Sequence, residues 1–596
     1  MKPFSFKSTR VSKKRIIILG AVAVIAVCLV IFALFYFNRP YSLTYTVKPL
    51  SVADQTVQVT IKVNKGSLFA ENNIMFDQIQ FTTDIACSDS KGDSVAYEQN
   101  GGLLTVPVKN TDQVNITYTV TLGTVAKHGH QGAYYDDLLV FGGKDVLMFP
   151  HVAAMGITDD IRKYIHSITI AYETPDNWTS VIPFAETGAD GKPITRIKSP
   201  SGADIYQLMQ AGYTFGRFTE KNYKTGTQMF SLYIDQLCDV PDPDLIDQGI
   251  KSIYDYYSGL FGYCPDKLSV VLLRKDPDDG QYIIGGGEAQ VMSTTFDPDV
   301  ARDWQLIGHR MFHDFFDVYG DPVDFLQPDR VWFMEGLATY YENMSMDALP
   351  DAIKVALGLN GEDGILSLYK TYVYFYEKDS DLRIAPLSEA DPSIQQNLGL
   401  IEFLHYTQAP LIIKAIEDLS YAQYGSHNRM LEYIISQKKC RIHDIEDIVT
   451  YAIGDSAQTF AQYYLENNGL LPLWYLADGT TENPLTVLYN LNTEEYTLFT
   501  WFSQGNSLYA MDNITGQNLD AYVKAAQDRN ISFTDEDTEN SIMALSPMVY
   551  AQLLKWALRA NVCGVSPDDQ NTRQDLLQNQ NNVDKWSSYE KTIIGN

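Results

Sequence analysis

Between residues 41 and 237 apolar and polar side chains alternate with a period of two, broken by Gly, Asn and Asp turns. The clearest runs are 41–47, 55–63, 114–122, 167–172 and 228–234, the first four rich in Val, Ile, Tyr and Thr. Such alternation sends every second side chain to one face of a strand, so it predicts a β-rich domain over 40–237. The period then changes. From Pro243 to about Gly262 the apolar residues Leu245, Ile246, Ile250, Ile253 and Tyr257 recur at helical spacing. A strand is expected over 268–273, followed by a single extended run over 281–296 that contains Gly285, Gly286 and Gly287. Glycine weakens a strand and is used where another backbone comes close.

Two helices follow. Asp297 is a good N-cap, Pro298 suits the first helical position, Gly320 can close the last turn and Pro322 lies beyond it. Pro328 and Asp329 introduce the second helix, over 331–342, which Pro350 limits. The chain is strongly helical thereafter, with 399–419 as its clearest piece. Segments 485–501, 519–527, 541–558 and 573–577 predict a small, mostly helical end domain over 477–596.

Residues 16–37 form an uncharged run of 22, about 33 Å long as a helix, which matches the hydrocarbon thickness of a bilayer. It reads as a transmembrane helix. Lys2, Lys7, Arg10, Lys13, Lys14 and Arg15 precede it, against Arg39 and Lys48 after it, which places a basic tail (1–15) in the cytoplasm and the main body outside the cell. Since those first fifteen residues hold six cations and no acid, the net charge of −29 becomes −35 for the remainder. A body so acidic repels a polyanion, which argues against nucleic acid as a partner. Apart from Cys28 in the apolar run there are five cysteines, Cys87, Cys238, Cys264, Cys440 and Cys563. Their scatter suggests buried thiols with at most one bridge, such as Cys238 to Cys264.

The chemistry concentrates between 297 and 342. His309 and His313 are four apart and share one helix face, and Glu335 lies in the next helix. Two imidazoles and one carboxylate leave a fourth position open, the arrangement a catalytic Zn2+ needs. Arg310 stands between the two histidines, or faces solvent as a surface cation if the helix is rotated.

With Gly285-Gly-Gly-Glu288 before the histidine pair, Met334-Glu335-Gly336 after it and Tyr406-Thr-Gln-Ala-Pro410 further on, the chain resembles the gluzincin metallopeptidases. It is closest to the glycyl aminopeptidase family and next to the aminopeptidase N family, because the spacing from His313 to Glu335 is longer than the aminopeptidase N pattern has. The resemblance implies an α+β architecture, with a thermolysin-like α/β metallopeptidase domain over 238–476 between the β-rich and helical domains. It further implies Zn2+ on His309, His313 and Glu335. Glu288, with Gly286 and Gly287, would hold the amino terminus of a peptide or protein substrate, and Tyr406 would stabilise the oxyanion. Arg310 occupies the place where these enzymes carry the general-base glutamate, and the Lys-Gly after the family's tyrosine is replaced by Gln408-Ala409. Three readings stay open: a peptidase with impaired hydrolysis, a peptide-binding protein derived from one, and a structural cell-surface ectodomain without metal.

Overall fold

A computed structural model describes residue 28, most of 41–466 and short stretches beyond. Outside the described residues lie 1–27, 29–40, 66–72, 109–112, 125–129, 152–160, 162–163, 226, 288, 318–329, most of 362–383, 438–444 and most of 467–596. The chain divides into two compact units, Met1–Asp239 with Lys267–Phe296, and Val240–Asp266 with Asp297–Asn596. Among the described residues no helix is long and apolar enough to cross a membrane. The run 16–37, apart from Cys28, lies outside them.

The first unit is built on an eleven-stranded sheet. Its centre holds β1 (Tyr41–Ser51), β2 (Thr56–Lys65), β3 (Gln113–Gly123) and β4 (Ile165–Tyr172) in the order β3-β2-β1-β4. The alternation seen in the sequence becomes one buried face: Leu43, Tyr45 and Val47 sit opposite Val63, Ile61 and Val59, and Ile61 and Val59 in turn sit opposite Ile116 and Tyr118. Two fully buried tyrosines need partners for their hydroxyls. Both find them on one segment: Tyr45 donates to the Met148 carbonyl at 2.8 Å, and Tyr118 donates to the Val146 carbonyl at 3.0 Å while accepting from the Met148 amide at 2.9 Å.

The second sheet of this unit has five strands: β5 (Phe218–Thr225), β6 (Gln228–Asp235), β7 (Lys267–Leu273), β8 (Ile284–Gly286) and β9 (Val291–Thr295), ordered β5-β6-β7-β9-β8. The run expected to extend through 281–296 is therefore two antiparallel strands. Ala289 and Gln290 take left-handed conformations between them, at φ 65° and 58°. The close approach expected of the glycine run is present, because a Cβ on Gly286 would lie 2.5 Å from the backbone of Ala211 and Gly212. The Gly287 amide donates to the Gln210 carbonyl at 3.2 Å.

In the second unit, α1 (Pro243–Phe261) has Asp242 as N-cap, accepting from the Leu245 amide at 3.0 Å, and ends at Gly262 in the left-handed region. Ile246, Ile250, Ile253 and Tyr257 form its buried face, as the spacing predicts, while Leu245 is only half-buried. The next helix, α2 (Ala301–Phe316), starts later than its sequence signals suggest. Asp297 accepts from the Asp299 amide at 3.0 Å, and its own amide donates to Asp303 at 2.8 Å. The Asp-Pro pair thus makes a separate turn, and Val300 becomes an N-cap without a side-chain bond. Gly320 and Pro322 lie outside the described residues. Helix α3 (Val331–Ser345) follows.

The expected continuous helix over 399–419 is α4 (Leu398–Phe403), a π turn (Leu404–Gln408) and α5 (Ala409–Tyr424). Pro410 has no N–H to offer the Tyr406 carbonyl, so the regular i to i+4 ladder is interrupted there, and the Ala409 amide instead reaches back to the Leu404 carbonyl. Two further expectations are corrected. The segment 485–501, read as helical, carries a hairpin of Val487–Asn490 and Glu495–Leu498, in keeping with its Val, Tyr and Thr content. The Cys238–Cys264 bridge is not formed. The Cys238 thiol meets the Leu273 and Phe296 carbonyls, each at 3.5 Å, and Cys264 lies 2.9 Å from the Ser258 hydroxyl.

Substituting Gly286→Ala drives a methyl group into the Ala211–Gly212 backbone. It is expected to destabilise the first unit by about 1–3 kcal/mol, read from the urea midpoint. A pH effect is expected from α5. There Glu417 is buried, accepts from the Asn428 amide, and has Asp418, Lys414 and Glu432 around it. Burial above all pushes its carboxyl up to about 7. Folding therefore favours the protonated form: the associated stability is fully present below the ordinary glutamate pKa and is lost as pH rises through about 7. Glu417→Gln should raise the stability of the second unit by roughly 3 kcal/mol at pH about 8 and change it little at pH about 4. A gain that is equal at both pH values would refute the assignment.

Candidate metal centre

Helix α3 lies between α2 and the start of α5, and a missing side chain permits each contact. A Cβ on Gly308 of α2 would come within 2.7 Å of the Ser345 hydroxyl, and one on Gly336 of α3 within 2.7 Å of the Ala409 Cβ. Tyr257 of α1 donates to the Gly308 carbonyl of α2 at 2.9 Å, and Phe312 of α2 stacks on Tyr341 of α3 with ring centres 5.5 Å apart. These contacts set the rotation of α2. They turn His309 and His313 inward, where both are buried.

The three expected ligands converge. His309 Nε2 lies 3.2 Å from Glu335 Oε2 and 3.2 Å from His313 Nε2, and His313 Nε2 lies 3.7 Å from Glu335 Oε1. One ligand atom from each residue falls within 4.8 Å of the others. A tetrahedral zinc with bonds of about 2.0–2.1 Å sets its ligand atoms roughly 3.3 Å apart, so this donor set fits the ion in kind and in spacing.

Glu342, on the same face of α3 two turns beyond Glu335, completes the arrangement. Its Oε2 accepts from His309 Nδ1 at 2.9 Å, and its Oε1 pairs with Arg302. With its Nδ1 bonded to Glu342, His309 would be left with Nε2 to bind an ion at the shared point, a support that metal-ligating histidines commonly have. Burial alone would raise the Glu335 carboxyl, but His313 and His309 outweigh it and hold Glu335 well below the usual glutamate range. Burial likewise opposes charge on His309, and the carboxylates of Glu335 and Glu342 prevail and raise it. The site is thus an ionised carboxylate facing two imidazoles in a desolvated space, which favours a cation at its centre.

Tyr406, on the π turn, is 40% exposed, with its ring 5.9 Å from that of His309. Arg310 is half-buried beside His309 and one of its guanidinium nitrogens is shielded from solvent. The inward-facing imidazoles exclude the rotated-helix alternative. Glu288 lies outside the described residues, and Gly286 and Gly287 belong to the first unit. Glu342 was not singled out in the sequence, although its distance of seven residues from Glu335 places both on one helical face. The buried pair Glu389 and His405, close to Tyr406, has no sequence signal because its partners are distant in the chain.

No protein-family model and no curated protein matches the sequence. Solved structures do. An aminopeptidase N family protein from Idiomarina loihiensis aligns over 79% of this chain and 85% of its own, with 12% identity and a TM-score of 0.54. An M1 zinc metallopeptidase from Deinococcus radiodurans aligns over 73% of this chain and 95% of its own, with 14% identity and a TM-score of 0.42. By its name the first of these comes from the group that the His313 to Glu335 spacing ranks second. At such identity the likeness speaks to architecture: the chain has the α+β, peptidase-like fold of an aminopeptidase N family protein, β-rich at the start and helical towards the end.

Proposed function

We propose that this protein is a membrane-anchored, outward-facing zinc-binding homologue of the aminopeptidases, which holds peptide or protein amino termini and hydrolyses them slowly or not at all. The observation that carries the reading is the convergence of His309, His313 and Glu335 with Glu342 in support of His309. Bound zinc would supply Lewis acidity toward a carbonyl oxygen and toward water. Glu342 keeps His309 in the tautomer and orientation of a ligand. Glu335 stays ionised over the working pH range. From its exposed position beside His309, the Tyr406 hydroxyl donates a hydrogen bond to an oxygen that gains negative charge as a carbonyl becomes tetrahedral.

The missing function is proton acceptance. The guanidinium of Arg310 keeps its proton below pH about 12, so it cannot replace a carboxylate between the two ligands. Loss of a positioned general base costs roughly 10² to 10⁴ in rate, which leaves binding and a slow residual reaction. The uncharged run 16–37, with the basic tail before it, supplies the anchor and orientation. Glu288, if it keeps the role the resemblance implies, receives the substrate ammonium.

Elemental analysis of the full chain should find one zinc per molecule, and His313→Ala should abolish it. Glu342→Gln should weaken zinc binding about 10- to 100-fold. A chain purified under zinc-replete conditions that carries none would instead support a structural ectodomain. Arg310→Glu should raise the hydrolysis of aminoacyl anilides by about 10² or more. A zinc-loaded Arg310→Glu chain as inert as its parent would show that Arg310 is not what limits turnover.

A further inference from the structure

The π turn is held on both sides of Tyr406 and leaves the tyrosine as its most exposed side chain. Leu404, His405 and Gln408 are buried, while Tyr406 is 40% exposed. Gln408 Nε2 donates to the Ile384 carbonyl at 3.2 Å. On the other side, His405 Nε2 lies 2.6 Å from Glu389 Oε1, and Glu389 is wholly excluded from solvent. The second oxygen of Glu389 accepts from the Trp332 amide at 3.2 Å. That amide is in the first turn of α3, one of the N-terminal N–H groups a helix cannot satisfy internally. One buried carboxylate thereby joins the start of the helix carrying Glu335 to the turn carrying Tyr406.

We propose that Glu389 and His405 are positioning residues for Tyr406, rigidly fixing its hydroxyl relative to the three ligand atoms. The inference rests on the reading of Tyr406 as the group facing a developing oxyanion. A carboxylate buried among helices is a poor source of net stability, since its desolvation consumes most of what its bonds return. What it does provide is direction. Its two acceptor oxygens engage two donors that must then keep a fixed separation, one on each element. A regular helix would carry residue 406 around its axis with its neighbours; the π turn and its two flanking bonds release this one side chain toward His309.

A 3-fluorotyrosine placed at position 406 of the full chain tests the proposal through its fluorine resonance. Glu389→Gln and His405→Gln should each displace or split the line, with zinc content unchanged. His405→Gln leaves the Glu389 bond to Trp332 in place, so it serves if Glu389→Gln does not fold. In the zinc-loaded chain, a phosphinic dipeptide analogue should bind about tenfold more weakly to Glu389→Gln and to Tyr406→Phe, and no more weakly to the double variant than to Tyr406→Phe alone. An unmoved resonance in both variants, or additive losses in the double variant, overturns the proposal. A parent chain without zinc overturns the reading of the site instead, and the fluorine line still reports whether Glu389 places Tyr406.

Discussion

The candidate centre depends on how near three helical segments come to one another. Donor atoms on α2 and α3 can meet at about zinc-ligand spacing only if the two helices approach at less than ordinary side-chain distance, and the turn carrying Tyr406 comes beside them only if the start of α5 does the same. Gly308 and Gly336 make that possible, each at the point where the neighbouring helix presses in. A methyl group on Gly308 would push α2 from α3 and open the separations of 3.2 to 3.7 Å among the ligand atoms, and one on Gly336 would push away the start of α5.

Within that frame, electrostatics decides which way each group faces. Two imidazoles and two carboxylates share a dry space, an arrangement that is costly unless every charge has a partner. The order is Arg302, Glu342, His309 and Glu335, alternating in sign capacity from the helix surface inward. Arg302 is the exposed member, so the chain of contacts begins in water and ends at the point where a cation would sit. Arg310 contributes no proton acceptor to this set.

Tyr406 comes beside His309 by a different route. Helical hydrogen bonding would have continued through it, but Pro410 interrupts the ladder and Glu389 and Gln408 anchor the resulting π turn. Local covalent chemistry opens the backbone, and distant buried contacts determine where the opened turn is held.

Much of the architecture was legible in the chain because its causes are local. Alternation in 41–63 and 114–122 specifies strands, the Asp242, Pro243 and Gly262 signals bound α1, and a spacing of four puts His309 and His313 on one face whatever surrounds them. Tertiary structure alone decided the rest. It converted the expected run 281–296 into a hairpin, moved the start of α2 past the Asp297 turn, kept Cys238 and Cys264 as thiols, and brought Glu342 and Glu389 to His309 and His405. Periodicity records which side of an element is buried; it carries no information about which distant group meets it there, because that depends on the packing distance between helices and on buried donors seeking acceptors many residues away.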